Sequence, residues 1–262
     1  MCSSDLSAVR KALGLYAAAL YAFLHLPLII LTVFSFNSSK FTVWEGFSLR
    51  WYAAVFRDPD LAEAAVNSME IAIVSTILST IVGTACAYGF WKHRDRLLSG
   101  ALYLSLVTPE IVMGVSLLAF FQWTFRYLHW RLGLHTVILA HVAFSIAYVV
   151  VVVAARLRTL DSSLEEAAMD LGATEWGAFR LVTLPALWPG IAAAAMLALA
   201  VSFDDYVITS MVAGVDSQTL PMWIYATARR GANPTINAIS ALLVVFFGAL
   251  VLLSERLRSS DS

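Results

Sequence analysis

The stretch Glu165–Pro185, EEAAMDLGATEWGAFRLVTLP, lies between two long apolar runs and carries five acidic or basic side chains in its first sixteen residues. Around it the chain is poor in charge. Of 262 residues, 60% are hydrophobic and 13% charged, against roughly 25% charged in a soluble domain. A hydrocarbon core about 30 Å thick takes roughly 20 apolar residues as helix. Six stretches meet that length, near residues 12–36, 66–90, 100–125, 134–157, 186–214 and 236–257. The sequence therefore predicts an all-α, polytopic membrane protein, one domain over residues 1–262, with the quoted stretch in a polar loop at 158–185. The first apolar run is longer than the roughly 7–15 residues of a signal core and no A-x-A-like site follows it, so an uncleaved first span is expected.

Six spans put both termini on one side. With cytoplasmic termini, Lys and Arg at positions 10, 11, 92, 94, 96, 156, 158, 180, 256 and 258 lie inside, and those at 40, 50, 57, 126, 131, 229 and 230 outside. The excess inside favours this orientation and makes the 158–185 loop cytoplasmic. Aromatics of the first outer loop (Phe41, Trp44, Phe47, Trp51, Tyr52) read as interfacial anchors.

The inner loop has its own helical pattern. Asp161 or Ser162 can cap a helix that places Glu165 and Glu166 in its first turn, where the dipole favours carboxylates. Leu164, Ala167, Ala168 and Leu171 share helical spacing, and Gly172 permits the left-handed conformation that ends such a helix. Thr174 can cap a second helix with Trp176, Phe179, Leu181 and Val182 on its apolar face, ended by Pro185 and Pro189. Two readings of this helix–turn–helix stand side by side. The alanines let a partner surface approach the backbone, or the segment is a solvated amphipathic connector.

Glu166-Ala167-Ala168, three residues, Gly172, nine residues and Val182-x-Leu184-Pro185 resemble the E-A-A-x3-G-x9-I-x-L-P loop of binding-protein-dependent ABC importers, with valine in place of isoleucine. The runs TPEIVMGVSLLAFF, EEAAMDLGAT, SFDDYVITSMVAG and LPMWIYATARRGANPTINAIS extend the likeness over most of the chain, to the second permease subunit of spermidine/putrescine importers. The resemblance implies a type I importer permease fold in the bacterial cytoplasmic (inner) membrane. It implies a second permease subunit, two copies of a cytoplasmic ATP-binding subunit, an external or periplasmic substrate-binding protein and a cationic small solute as partners. Glu165, Glu166, Ala167, Ala168, Asp170, Gly172, Leu184 and Pro185 would then couple to the ATPase, which uses ATP and Mg, while this chain binds no cofactor and catalyses nothing. A P-loop needs a Gly-Lys pair, and Lys11, Lys40 and Lys92 follow Arg10, Ser39 and Trp91.

Acids inside spans are costly and usually face a cavity. Glu70, Glu110, Asp204 and Asp205 qualify. With Tyr206, Trp123 and Trp223 as aromatic contacts for a cation, Glu110, Asp204 and Asp205 form the expected substrate path. Neighbours on a helix point about 100° apart, so one aspartate lines the passage while the other caps backbone or pairs across a helix contact. Glu110 follows Pro109 and either meets substrate or mends the break in the helix; Glu70 either lines the path or neighbours a helix start. The segment from Leu220 to Ala232 is a short outer helix, either solvated or meeting the binding protein.

Other chemistries find little support. Two cysteines make no disulfide framework or zinc site; His135 and His141, six apart, share no helical face as metal ligands, and His25 and His141 are expected at helix contacts bonded to backbone. The near-zero net charge gives no sign of nucleic acid. An intramembrane acid–base enzyme needs carboxylates converging from separate helices, and a stand-alone channel or secondary carrier is expected to show internal repeats. Within the importer class, iron, thiamine, phosphonate, opine and amino-acid derivatives are the alternative solutes.

Overall fold

The computed structural model describes residues 2–41, 43–93, 100, 104–161, 163–231 and 233–259, with side chains described between residues 9 and 249. Arg94, Arg96, Ser162 and the side chains of Arg256 and Arg258 lie outside that set, as does the start of the third expected span. The described elements are helical, with a single isolated bridge between Asn37 and Phe47. Five described helices are long and apolar enough to cross a membrane, and a sixth has a shorter apolar stretch at Pro234–Ala249. By contacts the chain divides into two units, Met1–Ala62 with Ile224–Ser262, and Glu63–Trp223.

In the first unit, α1 (Cys2–Phe34) and α2 (Arg50–Val55) both pack on the carboxy-terminal helix Pro234–Ser259. The loop between α1 and α2 is organised by Asn37. Its side chain donates to the carbonyls of Phe41 and Val43 and accepts from the backbone of Ser39 and Glu45. Trp51 donates from its ring nitrogen to the Asn37 carbonyl at 2.7 Å and is buried. It is thus a packing residue of the loop, not the interfacial anchor expected of it, because its only polar atom is satisfied inside the protein. Phe41, Trp44 and Phe47 remain exposed.

The second unit holds the larger core. Helix α3 runs Pro59–His93, α4 Glu110–Leu128 and α5 Leu134–Leu157. Next come α6 (Ser163–Asp170), α7 (Glu175–Ala178) and, after a π turn at Phe179–Thr183, α8 (Leu184–Asp204). Last is α9 (Val207–Val212), and α10 (Leu220–Arg229) begins in this unit and continues in the first. One apolar cluster joins Ala87 of α3, Val149, Val150, Val153 and Leu157 of α5, and Leu187, Ile191, Ala194 and Ala198 of α8. Small residues let these backbones approach closely, as packing within a membrane requires. A side chain at Gly83 would sit 2.7 Å from Val149 of α5. A second cluster gathers Phe121, Phe125, Val137, Phe144, Ile208 and Val212 from α4, α5 and α9.

Three sequence expectations change in detail. The third expected span is interrupted: residues 104–107 are helical, Thr108 and Pro109 are not, and α4 starts at Glu110. Pro109 has no N–H and adopts extended backbone (φ −57°, ψ 136°). Both the backbone and the hydroxyl of Thr108 donate to the Leu104 carbonyl, closing the end of the preceding turn. The fifth expected span is also broken, at Asp205 (φ −67°, ψ 126°). Its carboxylate takes the backbone N–H groups of Ile208 and Thr209 and so starts α9 instead of continuing α8. Conversely, Pro185 and Pro189 do not stop the second loop helix. The chain is helical without interruption over Glu175–Asp204. Leu184 N–H reaches back to the Phe179 carbonyl, a widened turn just before a residue with no N–H to give. Arg156 then donates to the Ala186 carbonyl at 3.3 and 3.2 Å, its stem lying where any side chain at Gly190 would collide at 2.8 Å.

Candidate functional site

Two regions carry most of the sequence-predicted site residues, and the continuous helix from Glu175 to Asp204 connects them. Thirty residues at 1.5 Å each span about 45 Å.

At one end lies the loop. The Asp161 carboxylate accepts from the Ser163 backbone at 3.0 Å, which starts α6 and holds that carboxyl below its usual range. Gly172 follows with φ +95°, a conformation open to glycine and costly for other residues. Thr174 caps α7, accepting from the Gly177 backbone at 3.1 Å. The two acids at the head of α6 divide. Glu166, Ala167, Asp170 and Gly172 are exposed and Ala168 partly so, as are Leu171, Trp176 and Leu181. Glu165 points the other way and is 4% exposed.

Three groups meet the Glu165 carboxylate. The Tyr88 hydroxyl donates to Oε1 at 2.6 Å, the Thr183 hydroxyl to the same oxygen at 3.0 Å, and Lys92 Nζ lies 3.1 Å from Oε2. Burial alone would raise its pKa. The two hydroxyls and the ammonium outweigh that and hold it below the ordinary carboxylate range. Glu165 therefore fastens α6 to α3 and to the π turn, and is not on the outer face with the other expected coupling residues. Leu184 is partly buried and Pro185 exposed where α8 begins. Tyr88, Lys92 and Thr183 carried no sequence signal of this role. An acid in a first helical turn is ordinarily explained by the dipole, and the partners lie 77 and 18 residues away in the chain.

At the other end is a cleft of about 490 Å³ lined by Glu110, Met113, Phe144, Tyr148, Asp204, Asp205 and Tyr206 among others. The breaks at Pro109 and Asp205 bring the acids together, since each break turns a helix end toward this space. Glu110 opens α4, where its charge suits the dipole but caps no backbone group. It is exposed, as is Asp204, and among the described residues neither makes a hydrogen bond or ion pair. Asp205 is engaged. It caps α9, accepts from the Thr209 hydroxyl at 2.7 Å, and its Oδ2 lies 3.4 Å from Nε2 of buried His141. His141 thus bonds to side chains of α8 and α9, not to backbone as expected. His25, by contrast, does bond a backbone carbonyl, that of Tyr21 at 2.8 Å.

The aromatic expectations fare differently. Tyr206 lines the cleft. Trp123 does not: it is exposed and edge-on to Tyr127, thirteen residues beyond Glu110 and so about 20 Å along α4. Trp223 is buried in α10 and is absent from the cleft lining. Glu70 is exposed on α3 and also absent. No group of three or more His, Cys, Asp or Glu among the described residues is arranged to hold a metal.

Residues 79–259 match the family described as binding-protein-dependent transport system inner membrane component. The chain belongs to that family. The matched region takes in the whole loop, the cleft and α11 (Pro234–Ser259), so the family's inner-membrane permease fold underlies both sites. The chain is 36% identical over 250 residues to the spermidine/putrescine transport system permease protein PotC of Escherichia coli (strain K12), covering 94% of this chain and 93% of that one. It is 42% identical over 231 residues to the putrescine transport system permease protein PotI of the same strain, covering 86% and 82%. Among solved structures, that of a bacterial ABC transporter involved in import of the acidic polysaccharide alginate superposes with a TM-score of 0.70 at 14% identity, over 100% of this chain and 99% of the other. That likeness speaks for the fold.

Proposed function

We propose that this permease forms half of the translocation path of an ATP-driven polyamine importer in the bacterial inner membrane. The observation that carries the substrate reading is the pair of unengaged carboxylates, Glu110 and Asp204, on one cleft in a chain whose relatives are named for spermidine and putrescine. A protonated amine can replace water around such groups, with Tyr206 and Tyr148 beside them offering aromatic faces. The exposed face of Glu166, Ala167, Ala168, Asp170 and Gly172 seats on a cytoplasmic ATP-hydrolysing subunit. Two such subunits, a second permease and an external binding protein complete the assembly, with both termini of this chain in the cytoplasm.

Motion imposed on the loop reaches the cleft by two routes. Trp176 and Phe179 lie on the same unbroken helix that ends at Asp204, and Glu165 ties α6 to α3. The chain's own part is to hold the cation and to transmit movement; ATP and Mg act on the partner. The test is uptake of labelled spermidine and putrescine by cells carrying the importer, with Glu110→Gln and Asp204→Asn introduced singly and together. The double variant is expected to lose nearly all uptake while inserting normally. Uptake equal to wild type in the double variant overturns the cleft as the polyamine path.

A further inference from the structure

The cleft is lined by three carboxylates, and two of them, on Glu110 and Asp204, have no partner among the described residues. The third, on Asp205, is bound into a buried polar chain that crosses four helices. Ser75 of α3 is fully buried and donates to the Ala72 carbonyl at 3.3 Å. Its oxygen is 2.9 Å from that of Ser202 of α8, a bond that either hydroxyl can donate. Ser202 in turn lies 2.7 Å from Nδ1 of His141 on α5. On the other side of the ring, the Thr209 hydroxyl stands 2.8 Å from Nε2 and 2.7 Å from Oδ2 of Asp205. His141 is 1% exposed, Ser202 3% and Thr209 0%. The chain ends at the Ala72 carbonyl, which leads nowhere, so it is not a proton wire. It reaches the cleft wall at the Asp205 carboxylate.

Buried polar groups need partners, and removing one member of a buried pair leaves the other unsatisfied at high cost. The arrangement therefore commits Asp205 to the fold while Asp204, its neighbour in sequence, faces the cleft with no partner among the described residues. We infer that His141 is a positioning residue for transport: held at Nδ1 by Ser202, it engages the Asp205 carboxylate at Nε2 and through Thr209, supports the cap that this carboxylate makes at the break between α8 and α9, and leaves the cleft two acids without a partner among the described residues. The inference rests on the cleft taking a cationic solute. Without the imidazole, Asp205 has only backbone N–H groups and one hydroxyl for company, and its charge acts on the cleft. A third acting acid holds an amine more tightly and lets it go more slowly.

The experiment compares His141→Leu, Asp205→Asn, the double variant and Asp204→Asn in the importer purified with its partner subunits. It reads melting temperature, equilibrium binding of labelled spermidine without binding protein, and the rate of ATP-driven uptake. Asparagine at 205 still accepts from backbone N–H groups as a cap and carries no charge. His141→Leu is expected to melt several degrees lower, to bind spermidine about five- to tenfold more tightly, and to transport more slowly. Adding Asp205→Asn is expected to raise the melting temperature again and return affinity to within about twofold of wild type. Asp204→Asn weakens binding. Should His141→Leu fail to assemble, recovery of assembly in the double variant is the expected result. A double variant no more stable than His141→Leu overturns the pairing, whatever the solute. Unchanged or weaker spermidine affinity in His141→Leu overturns the role in transport, because loss of mere packing lowers the active fraction and not the dissociation constant. Failure of the wild type to bind any polyamine would sink the polyamine reading, while the melting comparison still decides the pairing.

Discussion

Replacing Glu165 by alanine removes one carboxylate and strands three partners. The Tyr88 and Thr183 hydroxyls donate to it at 2.6 and 3.0 Å, and Lys92 lies at 3.1 Å. A hydrogen bond to a charged group is worth about 1.5–3 kcal/mol. Lys92 is 27% exposed in its side chain, so its share resembles that of a surface pair, about 0–1 kcal/mol. Because the three act on one carboxylate their effects are not additive, and a loss of about 2–4 kcal/mol is expected. Helix α6 has eight residues, far below the length at which an isolated helix holds in water. The loss therefore falls on local opening of Ser163–Asp170, not on the spans. At 1.36 kcal/mol per factor of ten, amide protection over α6 should fall about 30- to 1000-fold. Hydrogen exchange followed by mass spectrometry on the purified importer reads this directly, with peptides from α5 as the internal control. Glu165→Gln, which keeps an acceptor but no charge, should fall between wild type and alanine. Protection over α6 within threefold of wild type in Glu165→Ala would refute the anchoring role.

The same carboxylate sets a pH dependence. Its pKa in the folded chain lies below the ordinary value of 4.5, so the anchor's contribution is full above that value and is lost as pH falls through the lowered pKa; α6 protection in short acid pulses should be flat from neutrality to about pH 5 and decline below about 4.5. Gly172→Ala meets no neighbouring atom, so its cost is backbone alone, about 1–2 kcal/mol for φ +95°, read as a lower melting temperature of the loop's exchange-protected state with uptake reduced but present. Gly172→Pro should abolish uptake while insertion is normal, and unimpaired uptake would count against coupling through this turn. Trp176→Ala removes a ring that is 68% exposed and should weaken association with the ATP-hydrolysing subunit in pull-down without changing the melting temperature of the permease; equal association would remove α7 from the docking face.

The spans were legible because hydrophobic run length is a one-dimensional signal, and Leu134–Leu157 falls where the sequence put it. Caps were legible for the same reason: Asp161, Gly172 and Thr174 act within a few residues of themselves. Interruptions were not. Pro109 breaks a helix while Pro185 and Pro189 do not, and the difference lies in a π turn and in Arg156, whose guanidinium reaches the Ala186 carbonyl from another helix. Helical spacing leads to the expectation that one of Asp204 and Asp205 caps backbone, and Asp205 does cap α9, but at a break in the helix that the spacing does not contain. Which acid is engaged depends on His141, 64 positions before Asp205 in the sequence, and spacing on one helix says nothing about that. Glu165 and Glu166 look alike in sequence and face opposite ways, because only tertiary contacts distinguish the two sides of a two-turn helix.

The central claim is that the permease moves solute only when driven through the exposed face of α6. The most direct measurement is spermidine uptake into proteoliposomes holding this chain alone, or with its partner permease, binding protein and ATP-hydrolysing subunits. Uptake is predicted only in the complete assembly with ATP and Mg, and Glu166→Ala with Ala167→Trp on the docking face should reduce it to background. Solute flux through the chain by itself, or uptake in the full assembly that is indifferent to that double substitution, would contradict the account.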